Sequence, residues 1–78
     1  MLKDYEQFCK DEYADMVRFV EQKEYLNYDT DGRKRFIQYS IQRLLGTMVF
    51  LTKFEKYGDL EKIYDEYREA LERLKLEC

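Results

Sequence analysis

The segment 36–54, FIQYSIQRLLGTMVFLTKF, constrains the fold of this chain more than any other. Six of the eight positions 44–51 are apolar. An ordinary surface helix carries one apolar stripe, whereas a helix apolar on nearly all sides has to be covered on several of them. The segment therefore predicts a central helix, about 33–56, with the rest of the chain folded onto it. Its side chains fall into two sets. Ile37, Ile41, Leu44, Leu45, Met48 and Leu51 form one stripe, and Phe36, Tyr39, Phe50, Phe54 and Tyr57 form an aromatic edge. Gly46 lies among them. A glycine inside a helix costs about 1 kcal/mol relative to alanine, so close approach of a neighbouring helix or a large ring is the expected compensation. A membrane span needs about 20 consecutive apolar residues. Gln38, Gln42, Arg43 and Lys53 interrupt this window, so no span is expected.

The flanking segments read as two further helices. Tyr5, Phe8, Cys9, Tyr13, Met16, Val17 and Val20 recur in steps that keep them on one helical face. Asp4, with Gln7 three residues later, has the form of a capping box, which places helix 1 at about 4–25. Leu60, Tyr64, Tyr67, Leu71, Leu74 and Cys78 repeat at alternating spacings of four and three. That is a heptad seam, but of only about two and a half heptads, short for a free coiled coil and suited to bundle packing. Gly58 as a helix terminator and Asp59 as a cap place helix 3 at about 59–77. Between helices 1 and 2, Asn27, Asp29, Asp31 and Gly32 mark a turn, with Asp29, Thr30 or Asp31 as the cap of helix 2. Short connections imply antiparallel neighbours. The expected fold is all-α, an antiparallel three-helix bundle in one domain, 1–78.

The charge pattern agrees. Residues 1–28 hold four basic and seven acidic side chains, 29–57 hold six and three, and 58–78 hold four and seven. A basic middle helix thus lies between two acidic ones. With 40% charged but 45% hydrophobic and 17% aromatic residues, the chain has the apolar content that disordered segments lack. There is no proline, which favours long uninterrupted helices.

The candidate chemistry is sparse. There is no histidine and there are two cysteines, too few for a zinc site, which takes about four N or S ligands. Cys and Ser nucleophiles are normally activated by histidine, so catalysis is not expected. Two cysteines without a visible secretion signal fit a reducing, cytoplasmic setting. The turn Asn27-x-Asp29-x-Asp31-Gly32 resembles the first half of an EF-hand calcium loop over 12 residues, 27–38. The resemblance implies Asn27, Asp29 and Asp31 as cation ligands. It departs at the twelfth position, where the bidentate glutamate is Gln38, and at the eighth, Lys34. Arg33, Lys34 and Arg35 also place three positive charges beside the supposed cation. Asp11 with Asp15, or Asp65 with Glu69, could hold a divalent ion only if they faced inward, and they lie off the apolar stripes. No cofactor is expected.

Arg33, Lys34 and Arg35, with Arg43 and the rings of Tyr28, Phe36 and Tyr39, make a candidate nucleic-acid site. A net charge of −3 and a pI of about 5.0 oppose it, because phosphate attraction needs a basic surface. The alternative use of these cations is pairing with the acidic helices. Eight tyrosines and five phenylalanines exceed what a three-helix core needs, and Tyr25, Tyr28, Tyr39, Phe50, Phe54 and Tyr57 fall outside the best stripes. Tyrosine and arginine are favoured at protein interfaces. The expected function is therefore non-enzymatic: a small acidic protein that binds another protein or itself as a homo-oligomer. Tyr39, Phe50, Phe54 and Tyr57 would be anchors, and Arg35 and Arg43 polar partners. The type suits a regulator or inhibitor of the kind carried by phages and mobile elements, acting on a host complex. A further version has the acidic helices mimic nucleic acid.

Overall fold

The computed structural model describes residues 2–21 and 29–78. It contains α1 (Leu2–Glu21), α2 (Thr30–Leu51) and α3 (Tyr57–Leu76), all packed against one another. The bundle is elongated, 40 × 18 × 16 Å, as expected when three helices of about 30 Å lie side by side.

Cross-helix contacts set the directions. The Tyr5 hydroxyl donates to the Leu44 carbonyl (2.9 Å), Glu12 meets Ser40 and Arg43, and Phe19 stacks on Phe36 at 4.4 Å between centroids. As α1 advances, its contacts retreat along α2, so the two run antiparallel. Lys75 donates to Gln38 (2.8 Å) near the far end of α3, so α2 and α3 are antiparallel too. The up-down-up order expected from the short connections is observed.

The core combines Tyr5, Cys9 and Met16 from α1, Ile37, Ile41, Leu44 and Met48 from α2, and Leu60, Leu71 and Leu74 from α3. The α3 seam is as expected, with Tyr64, Tyr67 and Cys78 packed against this core. Phe19 is also buried, although it lies off the α1 stripe read from the sequence.

The helix ends differ from expectation in instructive ways. α1 starts at Leu2, so Asp4 lies in its first turn rather than at its cap. There its charge still complements the helix dipole, and Gln7 bonds Asp11 (2.9 Å) instead of closing a capping box. Asp29 caps α2, its carboxylate accepting from the Gly32 N–H at 2.7 Å. α2 therefore begins three residues earlier than the pattern suggested. It also ends earlier, at Leu51. The Thr52 hydroxyl donates to the Val49 carbonyl (2.6 Å), and the Phe54 and Glu55 N–H groups both reach the Leu51 carbonyl (2.9 Å each). These local bonds satisfy carbonyls that another helical turn would have used. α3 is capped at Lys56 without a side-chain bond. Gly58 and Asp59 are thus inside its first turn, not the stop and start signals that were expected. The end of helix 1 expected at about 25, with Tyr25, Asn27 and Tyr28, lies outside the described residues.

Candidate functional site: the outer face of α2

The expectation that α2 is covered on several sides is corrected. Two neighbouring helices cover one side of it. At about 100° per residue, Ile37, Ile41, Leu44 and Met48 point into the bundle, and Arg35, Tyr39, Gln42 and Gly46 lie on the opposite side. Leu45, placed by the sequence in the core stripe, is 41% exposed; Val49 and Phe50 are 57% and 58% exposed. Tyr39, Phe54 and Tyr57 are also more than half exposed. The anchors proposed from the sequence therefore all reach the surface, and Leu45 and Val49 join them.

The outer residues have an order of their own. Tyr39, Gln42, Gly46 and Val49 are separated by three, four and three residues and share the side of α2 opposite the buried one, while Lys53 lies in the turn just past its end. Leu45 and Phe50 flank this set. Phe50 and Phe54 lean together with centroids 6.1 Å apart, and the Lys53 ammonium sits 5.4 Å over the Phe50 ring. Gly46 is in the middle. A Cβ built there would meet nothing within 4 Å, so the close neighbour expected at this glycine is not supplied by α1 or α3.

The basic residues divide by position. Arg43 is engaged inside the bundle. Its Nε donates to Glu12 Oε1 (2.7 Å) and its Nη2 to Oε2 (3.1 Å), while the buried Ser40 hydroxyl donates to the same Oε2 (2.9 Å). The Arg43 bonds, foremost, hold the Glu12 carboxyl below the ordinary carboxylate range, against the cost of its burial; they raise Arg43 in turn. About half of the Arg43 side chain stays exposed. Arg33 is half-buried, and with Lys34 it lies close enough to the end of α3 to act on the Cys78 thiol. Lys34 and Arg35 are exposed. The three cations thus do not form one open cluster: Arg33 and Lys34 face α3, whose C-terminal dipole favours positive charge. Arg35 belongs to the outer face of α2.

The calcium-loop resemblance is corrected by the backbone. Thr30–Leu51 is helical, so residues 30–38 of that resemblance are helix rather than loop. Asp29 is occupied as a cap and Gln38 accepts from Lys75; Asn27 lies outside the described residues. Among the described residues no group of three Cys, Asp or Glu side chains is placed to hold a metal ion. Asp15 pairs with Arg18, and Asp65 and Glu69 flank Arg68 at 3.9 Å each. An open hollow of about 510 Å³ lies between α1 and α2, lined by Glu12, Asp15, Met16, Arg18, Phe19, Phe36 and Arg43. Its carboxylates are paired with its arginines.

Cys9 is fully buried. Desolvation is the main reason its thiol is pushed up to about 11, so at neutral pH it is protonated and packs as a small apolar group. Burial likewise raises Tyr5. Among the described residues no helix is long and apolar enough to cross a membrane.

The sequence could have yielded two things that stripe-reading missed. A glutamate facing Ser40 and Arg43 follows from pairing an acidic helix with a basic one, but only once the register is known. The outer face was legible in the spacing of 39, 42, 46 and 49, yet a single apolar label for α2 concealed that its two faces are separate. Comparison with protein families, with curated proteins and with solved structures gave no match.

Proposed function

We propose that this protein acts by binding another protein through the outer face of α2 and the turn that follows it, as a small non-enzymatic regulator or inhibitor. One observation carries the reading: Leu45, Val49, Phe50 and Phe54 are all large apolar residues left exposed within ten positions of one another, with the Phe50 and Phe54 rings in contact, and none of them belongs to the core cluster. Scattered exposed apolar residues need no explanation, but a contiguous patch on a small domain marks an interaction site. Tyr39, Phe50, Phe54 and Tyr57 serve as anchors, because rings supply large contact area at low entropic cost. Arg35 and Lys53 form the polar rim, and the half-exposed Arg43 adds to it while remaining bonded to Glu12.

The test is affinity capture from extract of the source cells with three forms of the chain: wild type, Phe50→Glu, and the triple reversal of Asp65, Glu66 and Glu69 to Lys. The proposal expects a protein retained by the wild type and by the triple reversal but lost with Phe50→Glu. Loss with the triple reversal alone would move the function to the acidic helices and to nucleic-acid mimicry. A wild type that retains nothing contradicts the reading.

A further inference from the structure

We infer that residues 52–58, which join α2 to α3, are a hinge that straightens into one continuous helix, and that two chains opened in this way exchange α3 to form a domain-swapped dimer. The inference is independent of the binding reading above, since it rests on the backbone of the turn and on the packing of α3.

The turn is almost a helix already. The Thr52 N–H donates to the Met48 carbonyl (3.1 Å) and the Glu55 N–H to the Leu51 carbonyl (2.9 Å), each the four-residue step of an α-helix. Between them, the Lys53 and Phe54 N–H groups take the tighter three-residue step, to Phe50 (3.4 Å) and Leu51 (2.9 Å). The α-helical pattern resumes where the Leu60 N–H donates to the Lys56 carbonyl (3.2 Å). In the gap, the N–H groups of Lys56, Tyr57 and Gly58 bond no backbone carbonyl of the described residues. Lys56 has φ −69°, already helical, and ψ 132°, extended. Turning that ψ toward the helical value of about −42° brings these three N–H groups toward the carbonyls of Thr52, Lys53 and Phe54, their partners in a continuous helix. Residues 52–57 include no glycine or proline, and Gly58 does not take a positive φ, so no residue type here demands a reversal.

Packing does not hold the turn either. No apolar side chain of residues 52–58 belongs to the core or packs against it, and all of these residues except Glu55 are exposed. The reversal is held from outside, by Leu60, Leu71 and Leu74 entering the core and by Lys75 bonding Gln38. A second copy of α3 supplies the same contacts to the same surfaces of α1 and α2. Under that condition exchange costs little, because every core contact is kept and only its connectivity changes. A straight helix over 30–76 would be about 70 Å long and would leave these leucines in water in a lone chain, so the opened form is stable only as a dimer. Within one chain, a short connection holds α3 at an effective concentration in the millimolar range. The hairpin therefore prevails at micromolar concentration, and exchange competes near millimolar. Straightening also moves Phe54 and Tyr57 out of the turn and into the long helix, so the dimer presents a different surface from the hairpin.

The test refolds wild type, Tyr57→Pro and Gly58→Ala from denaturant at about 1 mM and at about 10 µM, either side of the crossover, then dilutes them in the cold for size-exclusion chromatography with light scattering. Proline suits the hairpin at residue 57, the first position of α3, because Lys56 already has the extended ψ that precedes a proline. Inside a continuous helix the same proline removes a hydrogen bond and clashes with the Lys53 carbonyl. Gly58→Ala meets nothing within 4 Å in the hairpin and favours a helix interior. The expected result is a dimer from wild type at the higher concentration only, about threefold more dimer from Gly58→Ala, and none from Tyr57→Pro, which stays folded by circular dichroism. Connectivity is read from spin labels at Lys34→Cys and Arg73→Cys in a Cys78→Ser chain, with Cys9 buried, mixed with unlabelled chain before refolding. Their intrachain distance should be below about 25 Å in the monomer, where α2 and α3 lie side by side, and about 60 Å in the dimer, the rise along one helix. A dimer that keeps the short distance is side-by-side association and overturns the exchange, as does a dimer formed equally by Tyr57→Pro. Absence of dimer from both wild type and Gly58→Ala at about 1 mM overturns it too. Should Tyr57→Pro not fold, the label distance alone decides.

Discussion

The two faces of α2 are built from similar residues and do different things. The inner face, Ile37, Ile41, Leu44 and Met48, is almost fully withdrawn from water. On the outer face Tyr39, Val49 and Phe50 are more than half exposed and Leu45 is 41% exposed. Apolar side chains of comparable size are thus buried on one side and left wet on the other, within a single 22-residue helix. The contrast shows that hydrophobicity alone does not define a core. A three-helix bundle can cover only the sector of each helix that faces its two neighbours, and apolar residues outside that sector stay at the surface unless something else covers them.

If the faces differ in this way, truncating a residue on each should separate them widely. Leu44→Ala removes a fully buried side chain, for which about 2–5 kcal/mol is typical. A domain of this size has net stability of only about 3–5 kcal/mol, so the variant should lose about 40% or more of its stability, read as a much lower urea midpoint by circular dichroism at 25 °C. Val49→Ala on the outer face should change stability by less than about 0.5 kcal/mol, as surface substitutions usually do.

The inner side also holds a titratable group that the outer side lacks. Cys9 has a folded pKa of about 11 against an ordinary value of 9.0. Raised in the folded state, it contributes stability that is complete below about pH 9 and is lost as pH climbs through 11. Urea unfolding in reducing buffer at pH 8 and pH 10.5 should show a loss of about 2 kcal/mol from this thiol. Cys9→Ala should remove that share of the loss, although the raised Tyr5 keeps some alkaline sensitivity in place.

Glu12 marks the border between the two regions, since it ties the outward-leaning Arg43 to the buried Ser40. Glu12→Gln should cost about 1–2 kcal/mol, the range for a charge-assisted bond in a partly buried site. Its carboxyl is depressed, chiefly by Arg43. The stabilisation is therefore present above the ordinary value of 4.5 and disappears as pH falls through the lower folded value. Acid unfolding of Glu12→Gln should be correspondingly less steep than that of the wild type.

The smallest expected effect has the opposite sign. Gly46→Ala places a methyl group in open space and should raise stability by up to about 1 kcal/mol, read as a higher melting temperature. A destabilised variant would mean that this glycine serves the fold itself.

The architecture was legible because its signals are local and periodic. The α3 seam of Leu60, Leu71 and Leu74, the α1 residues Tyr5, Cys9 and Met16, and the charge alternation among segments all required no knowledge of register. The helix ends were harder, for specific reasons. Gly58 carries the residue type that ends helices, yet here it lies in the first turn of α3, while α2 stops at Leu51 with no glycine or proline beside it to mark the end. Leu45 was misplaced because a stripe drawn through Leu44 widens naturally to include its neighbour; only the positions of α1 and α3 show that residue 45 points past them. Of the candidate site, the exposed rings at 39, 50, 54 and 57 were readable as a surplus over the core. The open notch at Gly46 was not, since the same glycine could equally have served a neighbour within the fold.

The most direct test of the account replaces the outer face while leaving the inner one untouched. The variant carrying Tyr39→Gln, Leu45→Gln, Val49→Gln and Phe50→Gln should be unfolded thermally at two protein concentrations about thirtyfold apart. The account predicts a two-state transition within about 1 kcal/mol of the wild type, independent of concentration for both proteins. A loss of several kcal/mol, or a wild-type melting temperature that rises with concentration and a variant one that does not, would contradict it. Either outcome would show that the outer face stabilises this chain or its own assembly and is not kept open for a different partner.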